Sequence, residues 1–214
     1  MRRIAAIAAT LGALAVAGCG GPPVDSARDV APFNRLEVAG GVHVVIAQGR
    51  RTAVTVHGRE DVIDRVRTES SGGLLRVSVH DRGIVIGPDP MNDVSVRVIV
   101  PRLADVRIQG SGDVDLGDVE TRSLHFAIQG AGDVTARGRV DALSAIIHGA
   151  GDANFSELAA RTARVEIHGA ASVTVDVAER LDVEIRGAGD VRYTGRPRVT
   201  QSIHGAGDVT RVTR

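Results

Sequence analysis

The sequence predicts an all-β chain: a right-handed parallel β-helix, or β-solenoid, of 18–20-residue coils, preceded by a less regular β-rich half with one short helix. Three observations carry that reading. First, one heptad recurs six times. It reads Ile108-Gln-Gly-Ser-Gly-Asp-Val114, Ile128-Gln-Gly-Ala-Gly-Asp-Val134, Ile147-His-Gly-Ala-Gly-Asp-Ala153 and Ile167-His-Gly-Ala-Ala-Ser-Val173, then Ile185-Arg-Gly-Ala-Gly-Asp-Val191 and Ile203-His-Gly-Ala-Gly-Asp-Val209. Its first glycines fall at 110, 130, 149, 169, 187 and 205. A fixed period of that length marks stacked coils, each in contact with its neighbours only. Second, apolar residues alternate ahead of each glycine, as in Leu124, Phe126 and Ile128, or Leu181, Val183 and Ile185. Period two is a strand with one face buried. Third, no stretch of this half has helical periodicity.

From the N-terminus, residues 1–18 read as a signal peptide. Arg2 and Arg3 precede a thirteen-residue apolar run, Ile4 to Val16, which is too short to span a bilayer. It ends in Val16-Ala17-Gly18-Cys19, which resembles the lipobox of bacterial lipoproteins. The resemblance implies cleavage before Cys19 and acylation of its thiol. Cys19 is the chain's single cysteine, so no internal disulfide accounts for it. Secretion with an incidental cysteine is the competing reading. Several acyl chains together hold a protein to a membrane durably. Gly20 after the cysteine, where an inner-membrane lipoprotein usually has Asp, points to the outer membrane, on its periplasmic or surface face. Residues 19–32 read as the lipidated cysteine and a flexible Gly/Pro-rich tether with a reach of about 20 Å.

Residues 33–214 read as a single solenoid domain, with irregular first coils and a cap over 33–105 and the glycine-rich repeats over 106–214. In the first part, Leu36 to Val38, Val42 to Ile46, Ala53 to Val56, Leu75 to Val79 and Val94 to Val100 have strand character, and Pro101 ends the last. Glu60 to Arg67 sets Val62, Ile63 and Val66 on one helical face and predicts the short helix. Val38-Ala-Gly-Gly-Val42 looks like a degenerate copy of the repeat. In the second part each coil is a strand, a glycine-rich corner, a shorter strand and a variable corner such as Gly117-Asp118.

The chain resembles the putative auto-transporter adhesin head GIN domain family. The resemblance rests on Phe33-Asn-Arg-Leu-Glu-Val-Ala-Gly-Gly-Val-His-Val44, on Val98-Ile-Val-Pro-Arg-Leu103 and on the repeated Gly-Ser/Ala-Gly-Asp-Val corners, from about Phe33 to Arg214. It implies an exported bacterial protein, in many members a lipoprotein, and brings no established chemistry.

Two rows of residues stand out. Asp113, Asp133, Asp152, Asp190 and Asp208 follow the glycines. Carboxylates near turns can hold calcium, but they also accept backbone N–H groups of their own corner. Ser172 stands in the row and removes a charge from it, so turn capping is the expected role. Gln109, Gln129, His148, His168, Arg186 and His204 each follow an inward isoleucine and should point to solvent as a possible contact ladder. His148 and His168, on adjacent coils, could share a zinc ion, but no third ligand is evident. No metal or cofactor is expected.

Acidic and basic residues balance at 26 each, every basic residue is arginine, and the aromatics are three Phe and one Tyr. No basic run and few rings argue against nucleic-acid binding. Catalytic motifs such as Gly-x-Ser-x-Gly, His-Glu-x-x-His or a phosphate loop are absent. The expectation is therefore a non-catalytic envelope lipoprotein, tethered to the membrane through Cys19, whose solenoid surface binds a protein or polysaccharide. A structural lipoprotein without a ligand and a carbohydrate-active β-helix enzyme remain the alternatives.

Overall fold

The computed structural model describes residues 22–79 and 93–213. The predicted signal peptide and Cys19 lie outside the described residues. The chain forms β1 (Pro23–Arg28), β2 (Arg35–Ala39), β3 (His43–Gln48), β4 (Ala53–Arg59), α1 (Glu60–Ile63), β5 (Val66–Ser71), β6 (Leu74–Val79) and β7 (Ser95–Val100). There follow β8 (Asp105–Gly110), β9 (Val114–Gly130), β10 (Val134–Gly149), β11 (Ala153–Gly169), β12 (Ser172–Gly187), β13 (Asp190–Thr194), β14 (Arg198–Gly205) and β15 (Val209–Arg211). The strands hydrogen-bond into one wound sheet, a β-solenoid of about five turns. Among the described residues no helix is long and apolar enough to cross a membrane.

Alternation and repeat together set the register. Strands β8 to β12 pair in parallel so that Ile108, Ile128, Ile147, Ile167 and Ile185 fall on one another. All five are 0–1% exposed and form a single inward column. Beyond the glycine corner a second column runs through Val44, Val114, Val134, Ala153, Val173 and Val191. The glycine corner interrupts the strand. The second corner does not: β9 to β12 bend through it, with register shifts such as that between Ala136 and Gly138.

Core volume is shared between coils. The coil of β10 presents only Ala136 and Ala145 at two inward positions. Phe126, paired with Ala145 from the coil on one side, and Phe155, from the coil on the other, fill the space. Their ring centroids are 5.0 Å apart, with planes inclined by 30°, within the favourable range for aromatic pairs.

The N-terminal half differs from expectation in three ways. The helix predicted over 60–67 is a single turn, Glu60–Ile63, because Val66 leaves it to start β5, which pairs antiparallel with β6. The stretch read as flexible tether is strand from Pro23 to Arg28, antiparallel to β4. Finally, spatial order departs from chain order. Strand β2 lies between β6 and β8, and β3 between β7 and β9, all parallel. The earliest coil is thus interior, and the later segment β4 to β7 folds back outside it, ending in antiparallel β4, β5 and β1. Val38 pairs with Ile108, and Ala39 with Gln109, so the degenerate repeat sits in register with the true ones. At the opposite end, among the described residues, β14 pairs only with β12 and β15 only with β13. Val199, Ile203 and Val209 there are only partly buried.

Candidate binding surface

The glycine corner is the most tightly specified part of the surface. At Gly149 the backbone has φ +142°, and a Cβ would lie 2.0 Å from the Gly130 carbonyl oxygen of the preceding coil. That carbonyl accepts the N–H of Ala150 at 2.9 Å, so the corner stacks too closely for any side chain at Gly149. The second glycine is excluded by contact and not by φ: at Gly151 a Cβ would stand 2.2 Å from the Gly132 oxygen.

Four of the five aspartates, Asp113, Asp133, Asp152 and Asp190, accept a backbone N–H at this corner, from a partner different from the expected one. The Asp113 carboxylate accepts the backbone N–H of Asp133 at 3.1 Å, Asp133 that of Asp152 at 2.9 Å, and Asp152 that of Ser172 at 3.1 Å. Asp190 accepts the Asp208 N–H at 3.2 Å. The bonds run from coil to coil and not within one corner. Ser172 does not continue the chain, because the Asp190 N–H is taken by the Ala171 carbonyl at 3.0 Å. Among the described residues no group of three or more His, Cys, Asp or Glu side chains is arranged to hold a metal ion.

The ladder lies in register next to this corner: Gln109, Gln129, His148 and His168 pair in succession, then Arg186 and His204. His168 is partly covered and the other five are exposed. The His148 and His168 rings stack with centroids 4.7 Å apart and planes 15° off parallel. Stacked rings hold their nitrogens side by side, so the pair does not converge on one ion. Arg186 is tied to Glu184 at 2.5 Å. On the same strand face Glu166 bonds Arg164 and holds that guanidinium above its ordinary pKa.

At the other end of this face, along the second corner, runs a groove that the sequence reading did not find. Its widest part is a cleft of about 790 Å³ lined by Gln48, Arg102, Asp118, Glu120, Arg122, Arg139 and Asp141, among others. Asp118 sits at φ 44°, the single non-glycine residue with positive φ among those described. Such backbone strain persists where the surroundings hold it. Here Gln48 does so: its amide nitrogen donates to the Pro101 and Glu120 carbonyls, and its amide oxygen accepts the Glu120 N–H at 2.7 Å. One residue further on, Ser123 and Ala142 border a second hollow of about 380 Å³, which shares Thr162 and Arg180 with a third of about 420 Å³. The signal in the sequence was faint: arginines recur at this corner (Arg102, Arg122, Arg139, Arg161, Arg180, Arg198), with Arg137 and Arg196 beside two of them, offset by up to two residues from coil to coil.

A family model described as "Putative auto-transporter adhesin, head GIN domain" matches residues 32–197. No curated protein matches the sequence. Several crystal structures are similar in fold. One is a putative adhesin from Bacteroides fragilis, 18% identical, with a TM-score of 0.73 over 89% of this chain and 97% of that one. Another is a putative lipid binding protein from Parabacteroides distasonis, 19% identical, with a TM-score of 0.54 over 91% and 98%. A third is a putative adhesin from Parabacteroides merdae, 16% identical, with a TM-score of 0.50 over 92% and 98%.

Proposed function

The chain belongs to the head GIN domain family of putative auto-transporter adhesins, and from that membership we propose that it acts as a non-catalytic envelope lipoprotein presenting its solenoid surface to a macromolecular partner. Anchoring is assigned to Cys19, on the lipobox before it. The contact area is the outward strand face bounded by the ladder from Gln109 to His204 on one side and the second corner on the other. The observation that carries this reading is the coil-to-coil register of that face. Parallel pairing repeats outward side chains about every 4.8 Å. The glycine corners are locked to one another by backbone hydrogen bonds, with a carboxylate bond added at each step from Asp113 to Ser172 and from Asp190 to Asp208. A surface so fixed has little conformational entropy left to lose when a partner docks.

The testing experiment mixes the full chain with a panel of envelope and host polysaccharides and envelope proteins, following binding, reducing ends and unsaturated products together. Binding without turnover is expected. Turnover abolished by replacing one pair of acidic residues would overturn the non-catalytic reading.

A further inference from the structure

We infer that the groove along the second corner is a binding site for an extended uronic-acid-containing polysaccharide, held by the column of arginines Arg102, Arg122, Arg139, Arg161, Arg180 and Arg198. The inference rests on the surface-binding reading above and names its ligand class. The first observation is regularity. Each coil contributes at least one guanidinium to the second corner, staggered by up to two residues between coils, since Arg139 pairs with Glu120 and Ala159 whereas Arg180 pairs with Arg198. The coils are about 4.8 Å apart, a spacing comparable to one sugar residue of an extended chain. The second is availability. Among the described residues, Arg102, Arg122, Arg139 and Arg198 enter no ion pair, whereas Arg161 is tied to Glu179 at 3.0 Å and Arg180 to Asp182 at 3.4 Å. Free guanidiniums at the rim of a cleft are forks that match carboxylates in bidentate geometry.

The third observation selects the polymer. Asp118, Glu120 and Asp141 share the large cleft with Arg102, Arg122 and Arg139, and they too have no ion-pair partner among the described residues. They accept hydrogen bonds from hydroxyl groups. A chain bearing both carboxylates and hydroxyls satisfies both sets. Among the residues lining the hollows the one ring is that of His125, so the charged hydrogen bonds must supply most of the affinity.

The test is titration of the full chain with polygalacturonate oligomers by calorimetry, beside neutral dextran oligomers, phosphatidylglycerol vesicles and single-stranded DNA. Polygalacturonate should bind, weaken as salt rises, and outcompete the other probes. Arg122→Ala with Arg139→Ala should weaken it by about tenfold or more, as loss of charge-assisted hydrogen bonds does. Both side chains are exposed, so the circular dichroism spectrum should not change. Replacing Arg67, exposed on β5 and away from the corner, with Ala should leave the affinity as it was. Equal binding of dextran, vesicles or DNA, indifference to the double substitution, or no polygalacturonate binding at all would overturn the assignment. None of those outcomes touches the surface-binding reading, which fails instead if the oligomers are cleaved.

Discussion

At the scale of single residues, the glycine corner concentrates the sequence constraint. The heptad's first glycine combines a positive φ with a backbone oxygen at 2.0 Å from any added Cβ at Gly149, so a substitution is strained in both conformation and space. Gly149→Ala is expected to cost about 3 kcal/mol or more, read as a loss in denaturant melts. The aspartates add less, because their bonds are exposed. Asp152→Ala removes the acceptor of the Ser172 N–H and should cost about 1 kcal/mol. EDTA should leave the thermal midpoint where it was, since the Asp row serves backbone donors. A clear fall on chelation would show that a cation helps to hold the corners. The sequence marked this row as able to accept backbone N–H groups of its own corner; that the donors belong to the next coil was not legible in it. The usual Asx-turn looks forward along its own chain, and only the stacking brings the next coil's N–H closer.

At the scale of the element, alternation and repeat carried most of the information. Period two fixed which residues of β9 to β12 face inward, and the heptad fixed which of them share a column. Ile167, fully buried between Ile147 and Ile185, tests that register: Ile167→Ala should cost about 2–5 kcal/mol. Phe155→Ala should cost about 3–5 kcal/mol, because Ala136 and Ala145 leave no neighbour able to fill the gap. In the companion variant Phe155→Leu, retained volume should recover a large part of that loss. What escaped the sequence reading has no local signature. Strand β1 pairs with β4 across thirty residues, and its Pro-Val-Asp-Ser-Ala-Arg sequence contains no apolar run to announce it. The arginine corner was missed because Glu120-Thr-Arg, Arg139-Val-Asp, Arg161-Thr-Ala and Glu179-Arg-Leu share no motif. Even with the strands paired they stay staggered, Arg139 opposite Glu120 and Ala159, so that only the winding of the coils gathers them at one corner.

At the scale of the whole molecule, the solenoid is asymmetric along its axis: one end is closed by antiparallel strands, and the other ends in strands paired on one side only. If Cys19 carries the anchor, the closed end is also the end from which the chain leaves for the membrane. Cys19→Ala should then shift the protein from the membrane to the soluble fraction, followed by fractionation and immunoblotting. The interleaving of the closed end also bears on the order in which the chain can be made into a structure. Coil β2–β3 is synthesised first, yet its two flanks are supplied by β6–β7 and by β8–β9. A simple repeat array can assemble turn by turn as it emerges. Here the earliest coil gains one neighbour when β7 is complete at Val100 and the other only with the strand that starts at Val114, so more than half of the chain must be available before it is flanked on both sides. The array therefore does not grow from one end: it is extended first on one side of its earliest coil and then on the other.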